Sequence, residues 1–244
     1  DYAQLAKLVA GDAAAGDEFG YFVAIDGDTV VVGSPCDDDD GSCSGSVYVL
    51  RTTDGGATYG QVAKLTANDA VLDDRFGSSV AIDGSTVVVG ALGDRDAGKY
   101  SGSAYVFRTT DGGATYTQVA KLTADDAAAS DYFGKSVAID GTTVVVGAYG
   151  DDSHSGSVYI FRTNDGGASY SQLAKLTASD AYESDVFGYS VAIDGATIVA
   201  GAYGVRDGTG TKNGAAYVFY TTDGGATYGQ VAKLTADDAA ADDE

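Results

Sequence analysis

Methionine and tryptophan are absent from this chain, histidine occurs once, cysteine twice, and only Glu18, Glu183 and Glu244 among the 36 acidic residues are glutamates. Each scarcity closes a class of function. A Ser-His-Asp arrangement would have to form around His154, which lies in a stretch the rest of the chain does not repeat, so no catalytic residue is expected. Two cysteines give no zinc spacing, and no phosphate-binding loop occurs. Scarce glutamate argues against helices, because aspartate favours turns and glutamate is the better helix former. No run of 18 apolar residues is present, so no helical membrane insertion is expected. Only 14 lysines and arginines stand against the acids, a net charge of −22 that repels phosphate backbones and excludes nucleic acid as a partner. The missing methionine at position 1 and the lack of a charged-then-apolar leader fit a mature or trimmed chain.

What is abundant is apolar residue, at 44%, enough for a core, and one recurring phrase. TTDGGATY at 52–59 returns at 109–116, 163–170 and 221–228, the third time as TNDGGASY. The closing tyrosines, with Tyr2, are spaced by 57, 57, 54 and 58 residues. A fixed period of this kind signals stacked supersecondary units. The units run about 2–58, 59–115, 116–169 and 170–227, with a partial unit at 228–244, in what reads as a single domain over 1–244.

Each unit carries four strand signals. SSVAIDG (78–84) and the following STVVVGA flank an Asp-Gly turn, a strong hairpin signal, while SGSAYVF (101–107) and QVAKLTA (118–124) flank the recurring phrase. We label these strands A to D. Strand B is apolar on both faces and should be buried on both. Strand D carries Lys7, Lys64, Lys121, Lys175 or Lys233, as an outer edge that resists pairing would. Four antiparallel strands with a buried middle and a charged edge describe a propeller blade. The expected fold is all-β, a β-propeller of about 57-residue blades, four of them visible. Five D strands serve four A-B-C sets, so either one D strand closes a four-bladed ring and the other is spare, or the chain is a slice of a larger ring or array, or the spare strand completes a neighbouring chain's blade.

The recurring FGxxVAIDG…VVVGA…GSVYVF, at Phe19-Gly20, Phe76-Gly77, Phe133-Gly134 and Phe187-Gly188, resembles the FG-GAP repeat of the integrin alpha-subunit propeller and its secreted microbial relatives. That resemblance covers essentially the whole chain and implies a secreted, extracellular or cell-surface interaction domain. One departure limits it. Where the integrin type has a DxDxDGxxD calcium loop between strands A and B, this chain has only Ile82 to Thr86, so calcium does not carry over there. T-x-D-x-G-x-[ST]-Y is also similar to the Asp-box of sialidase-type propellers. The resemblance implies that Asp54, Asp111, Asp165 and Asp223 bond turn backbone while the aromatic packs between blades.

In such a blade the A-B and C-D turns leave one side and the B-C loops and D-A crossings the other. Asp26, Asp28, Asp83, Asp140 and Asp194 join the Asp-box acids on the first side, and almost every other acid falls on the second. A face so negative attracts counter-ions, and calcium is the natural candidate. The candidate ligands are the Asp of LTAxDA (Asp12, Asp69, Asp126, Asp180), the Asp two before each FG phenylalanine (Asp17, Asp74, Asp131, Asp185), and B-C loop acids Asp37, Asp39, Asp94, Asp96, Asp151, Asp152 and Asp207. The competing reading makes them turn caps and solvated charge. CDDDDGSC (36–43) suits a disulfide between Cys36 and Cys43, worth about 2–3 kcal/mol, over a thiolate metal site, and points to an oxidising compartment. Tyr100, Tyr132, Tyr149, Tyr189 and Tyr203 fall beside the acidic loops, where a glycan-binding face is the alternative to adhesion, protein interaction or extracellular assembly with other proteins or copies of itself, and a glycosidase using two aspartates is a third reading behind both.

Overall fold

In a computed structural model, residues 4–206 and 210–236 are described and form four four-stranded antiparallel sheets. The first holds β1 (Phe22–Asp26), β2 (Thr29–Ser34), β3 (Ser46–Arg51) and β4 (Gly60–Leu65); the second β5 (Phe76–Asp83), β6 (Thr86–Ala91), β7 (Ser103–Arg108) and β8 (Thr117–Leu122). The third holds β9 (Ser136–Asp140), β10 (Thr143–Ala148), β11 (Ser157–Arg162) and β12 (Ser171–Leu176); the fourth β13 (Ser190–Asp194), β14 (Thr197–Ala202), β15 (Ala215–Tyr220) and β16 (Gly229–Leu234). These are four blades of a β-propeller, and each has the up-down order that the Asp-Gly hairpins require. Each third strand shifts register against the fourth at the same place, between Val49 and Leu50 in blade 1 and between Val106 and Phe107 in blade 2.

The core lies between blades. Val31, Val47, Val49, Leu65 and Ala67 on the back of blade 1 pack against Phe76, Val80, Val87, Val89, Tyr105 and Phe107 on the front of blade 2. The same sets recur between blades 2 and 3 and between blades 3 and 4. At each junction the FG phenylalanine is fully buried against the ring of a strand C tyrosine, with centroids 5.5 Å apart. Its chain is pinned to the blade before. Phe76, Phe133 and Phe187 donate their backbone N–H to Ser44, Ser101 and Ser155. A Cβ at Gly45, Gly102 or Gly156 would overlap the carbonyl oxygen of that phenylalanine, so only glycine admits so close an approach.

Two sequence expectations need correction. The first copy of the strand D sequence, in residues 4–8, forms no strand, because no strand C stands beside it to pair with. Leu8 and Ala10 instead lie on the front of blade 1, where Leu65 and Ala67 lie on blade 2. The lysines of strand D are not edge guards either: Lys64 and Lys121 keep side-chain exposures of only 17% and 19%, held inward by acids described below.

Truncation of a plug residue tests whether these junctions hold the array. Phe133→Ala is expected to cost about 3–5 kcal/mol, read from urea denaturation, whereas a loss under about 1 kcal/mol would show that the blades are held some other way.

Candidate functional site: lysine-centred acid clusters and a tyrosine rim

The predicted cation ligands separate into two groups with different work. In the first, Lys64 Nζ lies 2.7 Å from Asp12 and 3.1 Å from Asp37, and pairs also with Asp39. Lys121 lies 2.6, 2.9 and 2.6 Å from Asp69, Asp94 and Asp96. Lys175 lies 2.8, 2.5 and 3.3 Å from Asp126, Asp151 and Asp152. Lys233 lies 2.6 Å from Asp180, and Asp207 falls outside the described residues. In each complete cluster one acid comes from the crossing that enters the blade and two from its B-C loop, so the ammonium ties together segments about 50 residues apart.

Strand C tyrosines close these clusters from beneath. The hydroxyl of Tyr48 sits 2.8 Å from Asp12 and 2.6 Å from Asp37, that of Tyr105 2.9 Å from Asp94, and that of Tyr159 2.9 Å from Asp126. Burial, then Asp94, drives the Tyr105 phenol far above its usual range, so it stays a donor. Burial alone would lower the Lys121 ammonium, but its bonds to Asp69, Asp96 and Asp94 outweigh that and hold it above its usual value. Burial would likewise raise Asp94, and the bond to Lys121 reverses it, leaving the carboxyl below its usual value.

The carboxylate oxygens of Asp69, Asp94 and Asp96 all lie within 4.8 Å of one another, a spacing suited in donor type to a hard divalent cation. That space is already in contact with an ammonium, which repels a second cation at such range. While Lys121 stands there, the set does not fit calcium.

The second group is Asp17, Asp74, Asp131 and Asp185, all buried. They accept the backbone N–H of Ala14, Val71, Ala128 and Tyr182 at 2.6, 2.8, 2.6 and 2.9 Å, capping the interblade turn. Burial raises Asp74 to about 6, and its Oδ1 has no hydrogen-bond partner. Burial raises Asp131 and Asp185 in the same sense.

On the opposite side, Asp54 takes hydrogen bonds from Thr52 Oγ1 at 2.7 Å, Thr58 N–H at 2.9 Å and Thr58 Oγ1 at 2.6 Å, and Asp111, Asp165 and Asp223 repeat the pattern. The Thr58 bonds, first the hydroxyl and then the N–H, lower Asp54 to about 2. Arg51, Arg108 and Arg162, which end strand C in blades 1 to 3, donate to the carbonyls of Gly112, Gly166 and Gly224 in the next blade's turn. Cys36 and Cys43 form a disulfide inside the first B-C loop.

The tyrosines scattered through the loop sequences converge. Tyr100 stacks on Tyr132 at 5.6 Å between centroids, Tyr132 on Tyr149 at 4.9 Å, and Tyr149 meets Tyr189 edge-on at 5.5 Å, followed by Tyr203 at 4.8 Å. Lys99, Lys135 and Lys212 lie over the rings of Tyr100, Tyr189 and Tyr203. Tyr21, Arg75, Tyr100, Tyr132, Lys135 and Tyr149 share one recess. The face read as uniformly negative is therefore divided, with acids tied to internal lysines and a rim of aromatics and cations beside them. His154 lies at the edge of this rim, its ring 6.2 Å from Tyr149.

Several rim residues stand at repeat positions that differ from unit to unit. The residue before each FG is Glu18, Arg75, Tyr132 or Val186, and all four adopt positive φ, from 53° to 59°. Non-glycine residues rarely take that conformation, least of all a β-branched valine, and here the neighbouring backbone enforces it: Arg75, Tyr132 and Val186 donate their N–H to Cys43, Tyr100 and His154 of the preceding loop. Changing the residue at this position leaves the interblade bonding intact.

The sheets, the FG plugs and the glycine sockets define an all-β repeat protein of the propeller class. A family model of the FG-GAP repeat matches residues 2–50, 59–107, 116–161 and 170–219, and the chain belongs to that family. Comparison with curated proteins finds no match. Among solved structures, the chain is similar to the crystal structure of the Saccharomyces cerevisiae Sqt1 at 12% identity and a TM-score of 0.49. The match covers 90% of this chain and 48% of that one, so this chain spans about half its length.

The two acid groups predict opposite responses to pH. Asp74, raised from 3.8 to about 6, contributes stability that is full below 3.8 and lost as pH rises through about 6. Asp12, Asp94, Asp126 and Asp180, lowered, contribute stability present above 3.8 and lost as pH falls below it. The melting temperature is expected to rise from about pH 8 to about pH 5 and to drop below about pH 4. Asp74→Asn keeps the acceptor for Val71 and is expected to raise the melting temperature at the alkaline end while flattening the slope near pH 6; an unchanged slope assigns the titration elsewhere.

Proposed function

We propose that this chain is a non-enzymatic interaction propeller working at the cell surface or in the extracellular medium, in adhesion or structural assembly, and that its recognition surface is the tyrosine rim. The observation that carries this reading is the convergence of Tyr100, Tyr132, Tyr149, Tyr189 and Tyr203, with lysines over their rings, at positions of which several vary between units. Tyrosine and arginine bring large contact area with few rotatable bonds and are enriched at protein interfaces. Family membership supports an interaction domain, and the Cys36–Cys43 disulfide supports an oxidising compartment. No helix among the described residues is long and apolar enough to cross a membrane.

A second reading, glycan binding, is favoured by the same recess, where aromatic rings and the cations of Arg75 and Lys135 would suit an acidic sugar. Titration with uronate-containing and neutral oligosaccharides, read by tyrosine fluorescence, separates the two. No fluorescence change, together with loss of extracellular protein partners on Tyr132→Ala and Tyr149→Ala, supports the protein reading. A saturable change with one sugar class, abolished by the same substitutions, replaces it with the glycan reading.

Calcium enters this picture as a competitor of lysine. The chain supplies its own counter-ion at each cluster, so wild-type melting is expected to be indifferent to calcium against chelator at high sodium chloride. Lys121→Met leaves Asp94 buried without its cation, which is expected to cost about 3 kcal/mol and to be partly restored by calcium. A several-degree rise with calcium in the wild type would instead assign the clusters to the metal.

A further inference from the structure

The chain carries 36 acids and only 14 lysines and arginines, so a cation that finds no acid is unexpected. Among the described residues every ion pair belongs to Lys64, Arg95, Lys121, Lys175 or Lys233. Arg75, Lys99 and Lys135 have none, and all three stand at the tyrosine rim. Arg75 and Lys135 line its recess together with Leu92, and no carboxylate does. Glu18 shares the adjoining hollow with Arg75 without pairing to it. The acid-rich face thus contains one patch where positive charge is uncompensated.

The rings of the rim reinforce that charge. An aromatic ring is negative on its faces and positive at its edge. Tyr132 lies within 16° and 11° of parallel to Tyr100 and Tyr149, so neighbouring rings occupy its faces. Lys99 covers Tyr100 at 4.8 Å, and Lys135 covers Tyr189 at 4.5 Å. With those faces engaged, what remains for a ligand is edges and hydroxyls. Burial, then the neighbouring tyrosines, raises the Tyr149 phenol to about 12, so its hydroxyl stays a donor at neutral pH. Edge, hydroxyl, ammonium and guanidinium all favour one kind of ligand atom, an anionic oxygen. A sugar ring, by contrast, docks by laying its C–H groups on an open aromatic face, and the stacked part of the row offers none.

We propose that the recess binds an acidic peptide segment of a partner protein, with carboxylate side chains meeting Arg75 and Lys135 and an apolar side chain packing on Leu92 and the tyrosine edges. The acids of the flanking B-C loops, among them Asp39 and Asp96, limit the charge such a ligand can carry. They repel a continuous polyanion and admit a short segment whose carboxylates fall only where the cations stand. The backbone of Arg75 is set in advance: its N–H is bonded at 3.0 Å to Cys43, in the loop that the disulfide closes, so less has to be ordered on binding.

This rests on the reading of the rim as an interaction surface and names the chemistry of its partner. Selection from a displayed library of random short peptides on the purified chain tests it, because a net charge of −22 by itself would enrich basic peptides. Enrichment of peptides rich in aspartate and glutamate is expected. A selected peptide is expected to lose about fivefold in affinity with Arg75→Gln and again with Lys135→Gln, and to weaken as salt rises. Both variants are expected to melt as the wild type does, since neither cation has an acid partner to lose. Enrichment of neutral or basic peptides whose binding is lost on Tyr132→Ala or Tyr149→Ala overturns the acidic partner and leaves the rim reading standing. Peptide binding indifferent to all four substitutions overturns the rim reading as well. No enrichment of any peptide overturns the proposal and leaves the rim to partners that dock as folded surfaces. A uronate oligosaccharide that binds more tightly than the selected peptides, and is lost on the same two charge substitutions, overturns the peptide in favour of a glycan.

Discussion

The structure depends on one close contact, repeated three times, in which the backbone of an FG turn enters the blade before it. The glycines of strand B and of the B-C loop leave no side chain in the way, the phenylalanine ring fills the gap beside a buried tyrosine, and the backbone N–H finds a loop carbonyl. A single blade has two apolar faces and can bury neither alone, which is why stability in such an array is shared between neighbours. Everything functional is hung on this contact. The residue before the plug is held at positive φ whatever its side chain, leaving that side chain free to vary along the array.

Charge follows the same logic. A net charge of −22 on the chain would repel itself, but three clusters and part of a fourth each gather their acids around a lysine from the outer strand. The ammonium joins the crossing that enters a blade to the loop that leaves its second strand, so neutralisation and interblade register are one interaction. The acids that remain buried without a lysine cap turns instead, and burial makes Asp74, Asp131 and Asp185 reluctant to ionise.

Much of this was legible from residues alone, and the reasons differ. Strands A and B show because an Asp-Gly pair between apolar runs allows little besides a hairpin, and the repeat period shows because stacking demands identical units. The N-terminal copy of strand D misleads because strandedness belongs to a pair, and among the described residues no strand C stands beside it. The lysines mislead because their acids lie about 50 residues away, brought close only by the step from one blade to the next. The tyrosines could be grouped by loop type but not ordered, since adjacency along the rim comes from blade stacking and not from sequence spacing.

The sequence by itself determined the blade, its four strands and their turns, because each rests on local backbone preference or on periodicity. Tertiary structure alone decided which acids meet which lysine and how the loop tyrosines stack. Those outcomes depend on distances between segments that the chain separates by a whole repeat, and only the packing of one blade on the next fixes them.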